Sequence, residues 1–319
     1  MRWEKVTTNW SKLMRADFGS KLEIKDQYTL KDKLVGYLTL VKPPFVFMTP
    51  LNAASAAVLS ISSFPSGIKC LEGVLCAFFA SLGANIFNRY VDRVRDKTAW
   101  PGRSIPSGRI SAGSVLLGTI VMYILSLILC WYAFNLTTFV ILLIGLVTSS
   151  LYSSHLRDSV GYLSLPPIEG IIFLAGWAAL APQTIFTLTP WVLYFIGVSW
   201  QASHIMAHYM VHIRYDGNGQ PIIGTPAFFN KPSPRQASYL VLLFIIISFG
   251  LSIWLIPLTS LNFIYAIPIT AIGLYSIYRA VLLVKDSSNR EMVDKAWSTL
   301  SMFKMIAALA ILLNILYIS

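Results

Sequence analysis

The stretch from Asn88 to Asp96 reads NRYVDRVRD and places three oxygen-bearing side chains four residues apart. On a helix, each step of four advances about 40° around the axis, so Asn88, Asp92 and Asp96 share one face. Hard oxygen donors clustered in this way suit Mg²⁺, which is typically held by one or two carboxylates together with substrate phosphates. The following segment, KTAWPGRSIPSGRIS, is rich in Pro and Gly and carries Arg103 and Arg109. Gly102 and Gly108 permit turns that fold it back over the acidic face, where Arg103 can grip a phosphate through two parallel hydrogen bonds. Metal-binding carboxylates beside arginine are what a departing diphosphate needs to have its charge neutralised. The competing reading is a solvated helix end, with Arg89, Arg93 and Arg95 turned toward phospholipid headgroups. Carboxylates so close to hydrocarbon are costly, and that favours the functional reading.

A second polar stripe lies in WQASHIMAHYMVHIRYDGNG, where His204, His208, His212 and Asp216 recur at intervals of four. Imidazole is a poor Mg²⁺ ligand and a good ligand for Zn²⁺ or Fe²⁺, and it is a capable general base near neutral pH. Three readings stay open: a polar wall of an active cavity, a transition-metal site, or structural packing.

The elements that must position these groups follow from composition. Of the 319 residues, 55% are apolar and 12% charged, and the mean hydropathy is +0.64. Such a chain cannot cover a water-exposed surface, which excludes a soluble enzyme, a disordered chain and a nucleic-acid binder despite a net charge of +11. Apolar stretches near the roughly 20 residues that cross a bilayer fall at 36–61, 68–90, 112–132, 135–153, 162–182, 188–212, 235–257, 261–284 and 296–318. The expectation is an all-α polytopic membrane protein with nine transmembrane helices around a central cavity. A charged segment over 1–33, without the run of a cleaved leader, precedes one membrane domain over 34–319. All but three of the 25 Lys and Arg (Lys42, Lys69 and Lys304) fall on one side of that arrangement. The N-terminus and the loops carrying the candidate residues are thereby expected to be cytoplasmic, at the plasma membrane if the cell is prokaryotic. Cys70, Cys76 and Cys130 lie in apolar stretches without paired spacing and read as small core residues.

The N-x-x-x-D-x-x-x-D pattern, followed by Arg103 and IPSGRIS, resembles the first aspartate-rich motif of the UbiA-type intramembrane prenyltransferases. The spacing from Asp96 to Arg103 and Pro106-Ser107-Gly108 is similar to the chlorophyll-synthase and ether-lipid branches, while Trp200-Gln201 with His204 resembles the W-Q-x-x-H of haem O synthases. The likeness covers most of the chain, from the Lys42-Pro43-Pro44 entry to the first span to Tyr152-x-x-x-Leu156-Arg157, which resembles the family's Y-x-x-x-L-K. Two departures stand out: Arg89 sits where many members have Asp, and His212 and Asp216 fall where the family has D-x-x-x-D.

The resemblance implies Mg²⁺ held by Asn88, Asp92, Asp96 and Asp216, and a polyprenyl diphosphate donor whose tail lies in a cavity open to the lipid bilayer. Ionisation would be assisted by Arg103, Arg157 and Lys97, with Tyr152, Glu169 and His212 as further catalytic candidates. Lys42, Asn88, Arg103, Arg157, His204 and His208 are the substrate-binding candidates. Lys42 either contacts diphosphate or snorkels to headgroups. Glu169 follows Pro166-Pro167, where a kink would turn its carboxylate inward to deprotonate an acceptor or a carbocation. Trp177 and Trp200 are candidates to stabilise an allylic cation. The hydrophobic acceptor is an aromatic carbon, a haem vinyl group or an alcohol. A UbiA-type terpene cyclase shares the same front half, and a transporter is the reading from another class, although no internal repeat with paired broken helices supports it.

Overall fold

A computed structural model describes residues 27–41, 43–212 and 232–319, apart from the side chains of 43–45, 99 and 212. Lys42, the His212 side chain and Asp216 therefore lie outside the described residues. Ten α-helices longer than one turn are present there: α1 (Leu30–Leu38), α2 (Pro43–Ile61), α3 (Gly67–Ala99), α4 (Ala112–Ala133), α5 (Leu136–Leu151), α6 (Pro166–Leu180), α7 (Leu188–His212), α8 (Pro234–Trp254), α9 (Phe263–Lys285) and α10 (Arg290–Ile318). No strand occurs among the described residues. This is the all-α membrane fold expected from composition.

Helix starts are set by side-chain caps, which spare orphan N–H groups the cost of lying unpaired near lipid. Ser66, Ser111 and Asn135 accept from the third backbone N–H of α3, α4 and α5. Ser233 and Gln236 form a reciprocal capping box at α8. Asn135 also donates to the Ala178 carbonyl at 2.8 Å, tying the start of α5 to the end of α6.

Boundaries differ from expectation where proline intervenes. The single expected span 36–61 is two helices, because Pro43-Pro44 lack N–H donors and cannot continue the turn of α1. Pro166 and Pro167 do not kink a helix that is already running; they occupy the first turn of α6, where missing donors cost nothing. The expected second span, 68–90, continues to Ala99, so Asp92 and Asp96 are helical. Seven helices among the described residues are long and apolar enough to cross a bilayer. Of the other two expected spans, α2 offers a shorter apolar stretch, Val46–Ile61. The other, α7, carries Ser199, Gln201, Ser203 and His204 along its length.

Each helix from α2 onward packs on its neighbour in the chain, and α10 returns to α2 to close the ring. Further contacts of α2 with α6 and α10 with α7 place these four helices at the centre. At Gly176 of α6 an added Cβ would come within 2.2 Å of the Ala53 carbonyl oxygen of α2. Only glycine permits that approach, the small-residue packing that membrane helices use when no hydrophobic effect drives them together. The outer faces stay apolar and exposed, as at Ile124, Ile144, Ile246 and Leu274, a surface suited to lipid.

Candidate active site

Because α3 stays helical to Ala99, the four-residue spacing becomes geometry. Asn88, Asp92 and Asp96 form one stripe, which is met by two segments, the turn after α5 at Asn88 and Asp92 and the loop after α3 at Asp96. Asn88 Nδ2 donates to Ser153 Oγ at 3.4 Å. Arg157 donates to Asp92 at 2.5 and 3.3 Å through two nitrogens, and Arg103 donates to Asp96 Oδ1 at 2.6 Å. The side chains of Asp96 and Arg157 are only 6% and 7% exposed. Water therefore screens these charges little, and each strongly orients its partner.

Two irregular segments deliver the arginines. After α5 the chain makes a π-helical turn over Tyr152–Leu156 before a last helical turn, Arg157–Ser159. The widened turn resets the helical register, and such insertions gather at functional sites. It docks on α3 in helical steps: Ser153 against Asn88, Arg157 against Asp92, and Asp158 against Arg95 at 2.9 and 3.0 Å. Tyr152 is buried at the head of this turn. The loop after α3 is a chain of backbone turns, with Trp100 N–H on the Asp96 carbonyl, Arg103 N–H on Trp100, Ser107 N–H on Arg103 and Ile110 N–H on Ser104. Gly108 takes φ +77°, a conformation open to glycine. Ser104 is buried and shares a 2.7 Å hydrogen bond with Thr39, and the Arg103 guanidinium lies 5.0 Å from the Trp100 ring centre. Arg89 is buried, lining a small recess with Asp96 and Arg103.

The donor set fits a hard divalent cation. Two carboxylates and an amide oxygen on one helical face are the partial cage that Mg²⁺ accepts when phosphate oxygens complete its shell. No group of three His, Cys, Asp or Glu that could hold a metal occurs among the described residues, so two carboxylates alone would need those phosphates.

The other candidates sit elsewhere. Lys97 is exposed and lines a separate cavity with Lys33, Arg93 and Arg109. His204 is buried, stacked 4.8 Å from the Trp200 ring, with Nε2 3.2 Å from Ser301 Oγ. His208 lies 6.0 Å from the Trp297 ring. Both described histidines of the stripe thus pack between α7 and α10. The face of Trp200 is covered by Lys304 at 4.4 Å, and Trp177 bonds Thr184 at the far end of α6, so neither indole stands beside Asp92 and Asp96.

Glu169, in the first turn of α6, pairs with Lys304 of α10 at 2.6 Å and accepts from Asn52 of α2 at 3.0 Å. Asn52 and Lys304 were not anticipated as partners. Charge balance could have found them, since a lysine in mid-span needs a counter-charge and Glu169 is the carboxylate placed to supply it.

Comparison with known proteins agrees with the all-α membrane fold. The model of the UbiA prenyltransferase family matches residues 48–308. Among relatives, a protoheme IX farnesyltransferase of Trichodesmium erythraeum is 26% identical over 288 residues, 87% of this chain and 85% of that protein. A digeranylgeranylglyceryl phosphate synthase of Methanosphaera stadtmanae is 22% identical over 79% of this chain and 92% of its own. Among solved structures, a digeranylgeranylglyceryl phosphate synthase superposes with a TM-score of 0.69 at 19% identity, over 90% of this chain and 99% of the other. A UbiA homolog from Archaeoglobus fulgidus, bound to DMAPP and Mg²⁺, superposes with a TM-score of 0.59 at 15% identity, over 86% and 98%.

Proposed function

The chain belongs to the UbiA prenyltransferase family, and from that membership we propose that it transfers an isoprenoid chain from a polyprenyl diphosphate to an aromatic or lipid-like acceptor within the membrane, in a Mg²⁺-dependent reaction. The observation that carries this reading is the pair of carboxylates one helical turn apart on α3, each bridged to a guanidinium from a different segment. Asn88, Asp92 and Asp96 would hold Mg²⁺, with Asp216 as the fourth ligand the sequence suggests. The ion supplies Lewis-acid charge to the diphosphate as it leaves.

The chain's own residues do the rest. Arg103 and Arg157, held by their carboxylate partners, present N–H donors to the phosphate oxygens, with Lys97 and Lys42 adding long-range positive charge. The bond between the prenyl C1 and its bridging oxygen breaks, and pyrophosphate departs with the electron pair. The acceptor then gives an electron pair to the allylic C1 and loses a proton. His212 is the candidate base by its place in the second motif, and Tyr152 bounds the diphosphate beside Arg157. Glu169 is held by Lys304 and Asn52 and presents the acceptor end with a polar group; His204 and His208 shape the same inner wall from α7. By the positive-inside asymmetry, Arg103 and Arg157 face the cytoplasm.

Pyrophosphate release from geranylgeranyl diphosphate and Mg²⁺, measured with and without candidate acceptors, tests the reading. Transfer predicts release that requires an acceptor. Equal release without one would establish cyclisation of the donor instead, and no release under any condition would exclude both.

A further inference from the structure

One cavity lies across the loop from the acidic stripe and shares with the proposed mechanism only Lys97 and its long-range charge. It has a volume of about 600 Å³ and is lined by Lys33 of α1, Arg93 and Lys97 of α3, Arg109 of the loop, and Ser111 and Ser114 at the start of α4. Among the described residues, four cations contribute to its wall and no carboxylate does. On α3 the basic pair 93/97 is rotated about 100° from the acidic pair 92/96, so one helix end carries two stripes of opposite sign. Ile105 and Pro106 border both this cavity and the recess beside Asp96 and Arg103, so the loop separates the two. The side chains of Lys33 and Lys97 are exposed and make neither a hydrogen bond nor an ion pair with any described residue. The hydroxyl of Tyr37, also in the wall, bonds Ser114 at 2.9 Å.

The apolar surface around the cavity says what kind of anion fits. Leu30, Leu34 and Leu38 form an i, i+4, i+8 stripe on α1 at 74%, 57% and 72% exposure, the pattern of a helix lying in the membrane interface. From Ser114, a second exposed stripe runs along α4 through Leu117, Val121, Ile124 and Ile128. A ligand here has a negative head among cations and an apolar tail against α4. Basic pockets between helices at the positively charged face of a membrane protein recognise anionic headgroups in this manner. We propose that this cavity is a binding site for an anionic membrane phospholipid, whose phosphate sits among Lys33, Arg93, Lys97 and Arg109 and whose acyl chains follow α4. The bound lipid joins α1 to the loop that carries Arg103.

Native mass spectrometry of the purified full chain, titrated with phosphatidylglycerol or phosphatidylcholine, tests this. Phosphatidylglycerol is retained in preference to phosphatidylcholine. Lys33→Ala/Lys97→Ala, which removes two exposed side chains without partners among the described residues, weakens retention about thirtyfold, a factor of roughly five for each surface cation. Its melting temperature in phosphatidylcholine nanodiscs stays at the wild-type value, and Lys33→Glu/Lys97→Glu abolishes the preference. Unchanged retention in both variants overturns the proposal. Equal thermal stabilisation by inorganic phosphate would make it a soluble-anion site. Displacement of phosphatidylglycerol by geranylgeranyl diphosphate would assign the cavity to the donor.

Discussion

Arg157 and Arg103 reach neighbouring carboxylates on different supports, and the supports set what each contributes. Arg157 is buried on a helical turn and also meets the Ser153 carbonyl at 3.4 Å, so its guanidinium is fixed before substrate arrives. Removing a preorganised donor of this kind typically costs 10²–10³ in rate. Arg157→Ala should therefore lower kcat/KM for pyrophosphate release by about that factor, and Arg157→Lys should recover only part of it, because an ammonium cannot reproduce the two-nitrogen contact. Steady-state kinetics on the two variants decide this; a lysine variant equal to wild type would mean that charge alone suffices. At the inner wall, Glu169 and Lys304 form a buried pair. Truncating one partner strands a charge and costs about 3 kcal/mol, whereas replacing both relieves it. Lys304→Met and Glu169→Gln should each lower the melting temperature in detergent, and the double variant should lie above either single one. The acidic stripe was legible in the sequence because its contacts follow helical spacing within one segment. The Glu169–Lys304–Asn52 cluster was not, because it depends on α2, α6 and α10 meeting in space.

At the scale of elements, the site rests on two departures from regular helix. One is the π-helical turn after α5. The other is the loop after α3, held by Gly108 at φ +77° with open space where a Cβ would go. Substituting Gly108→Ala meets backbone strain and no clash, a cost of about 1 kcal/mol. Global stability should barely change, while the loop that positions Arg103 shifts, raising KM for the diphosphate several-fold. Thermal melting beside kinetics separates the two effects, and an unchanged KM would show that Arg103 does not depend on this turn. The turn-forming residues of the loop were readable in advance, as was the glycine. The π-helical turn was not, since Tyr152–Leu156 differs from ordinary helix by hydrogen-bond register and carries no residue that forces it. The proline kink expected to turn Glu169 inward is absent although Glu169 is buried, because prolines at a helix start organise the first turn and do not bend it.

For the whole molecule, the distribution of cations predicts one charged side of a nine-span arrangement, and among the described residues seven helices are long and apolar enough to cross a bilayer. Reporters placed after Ser319 and in the loop at 62–66 should read external, and one in the loop holding Arg103 cytoplasmic. A cytoplasmic readout at 62–66 would show that α2, with its short apolar stretch, does not cross. Asp92 and Asp96 are the groups proposed to hold Mg²⁺ against the diphosphate. The most direct measurement is pyrophosphate release by Asp92→Ala and Asp96→Ala in reconstituted membranes, with insertion checked by the melting curve. In a cavity screened from water, a lost hard ligand is not replaced by solvent. Both variants should fold, and both should lose at least about 100-fold in turnover at saturating Mg²⁺. Retention of more than about a tenth of wild-type turnover by both, a barrier change below about 1.4 kcal/mol, would contradict the assignment.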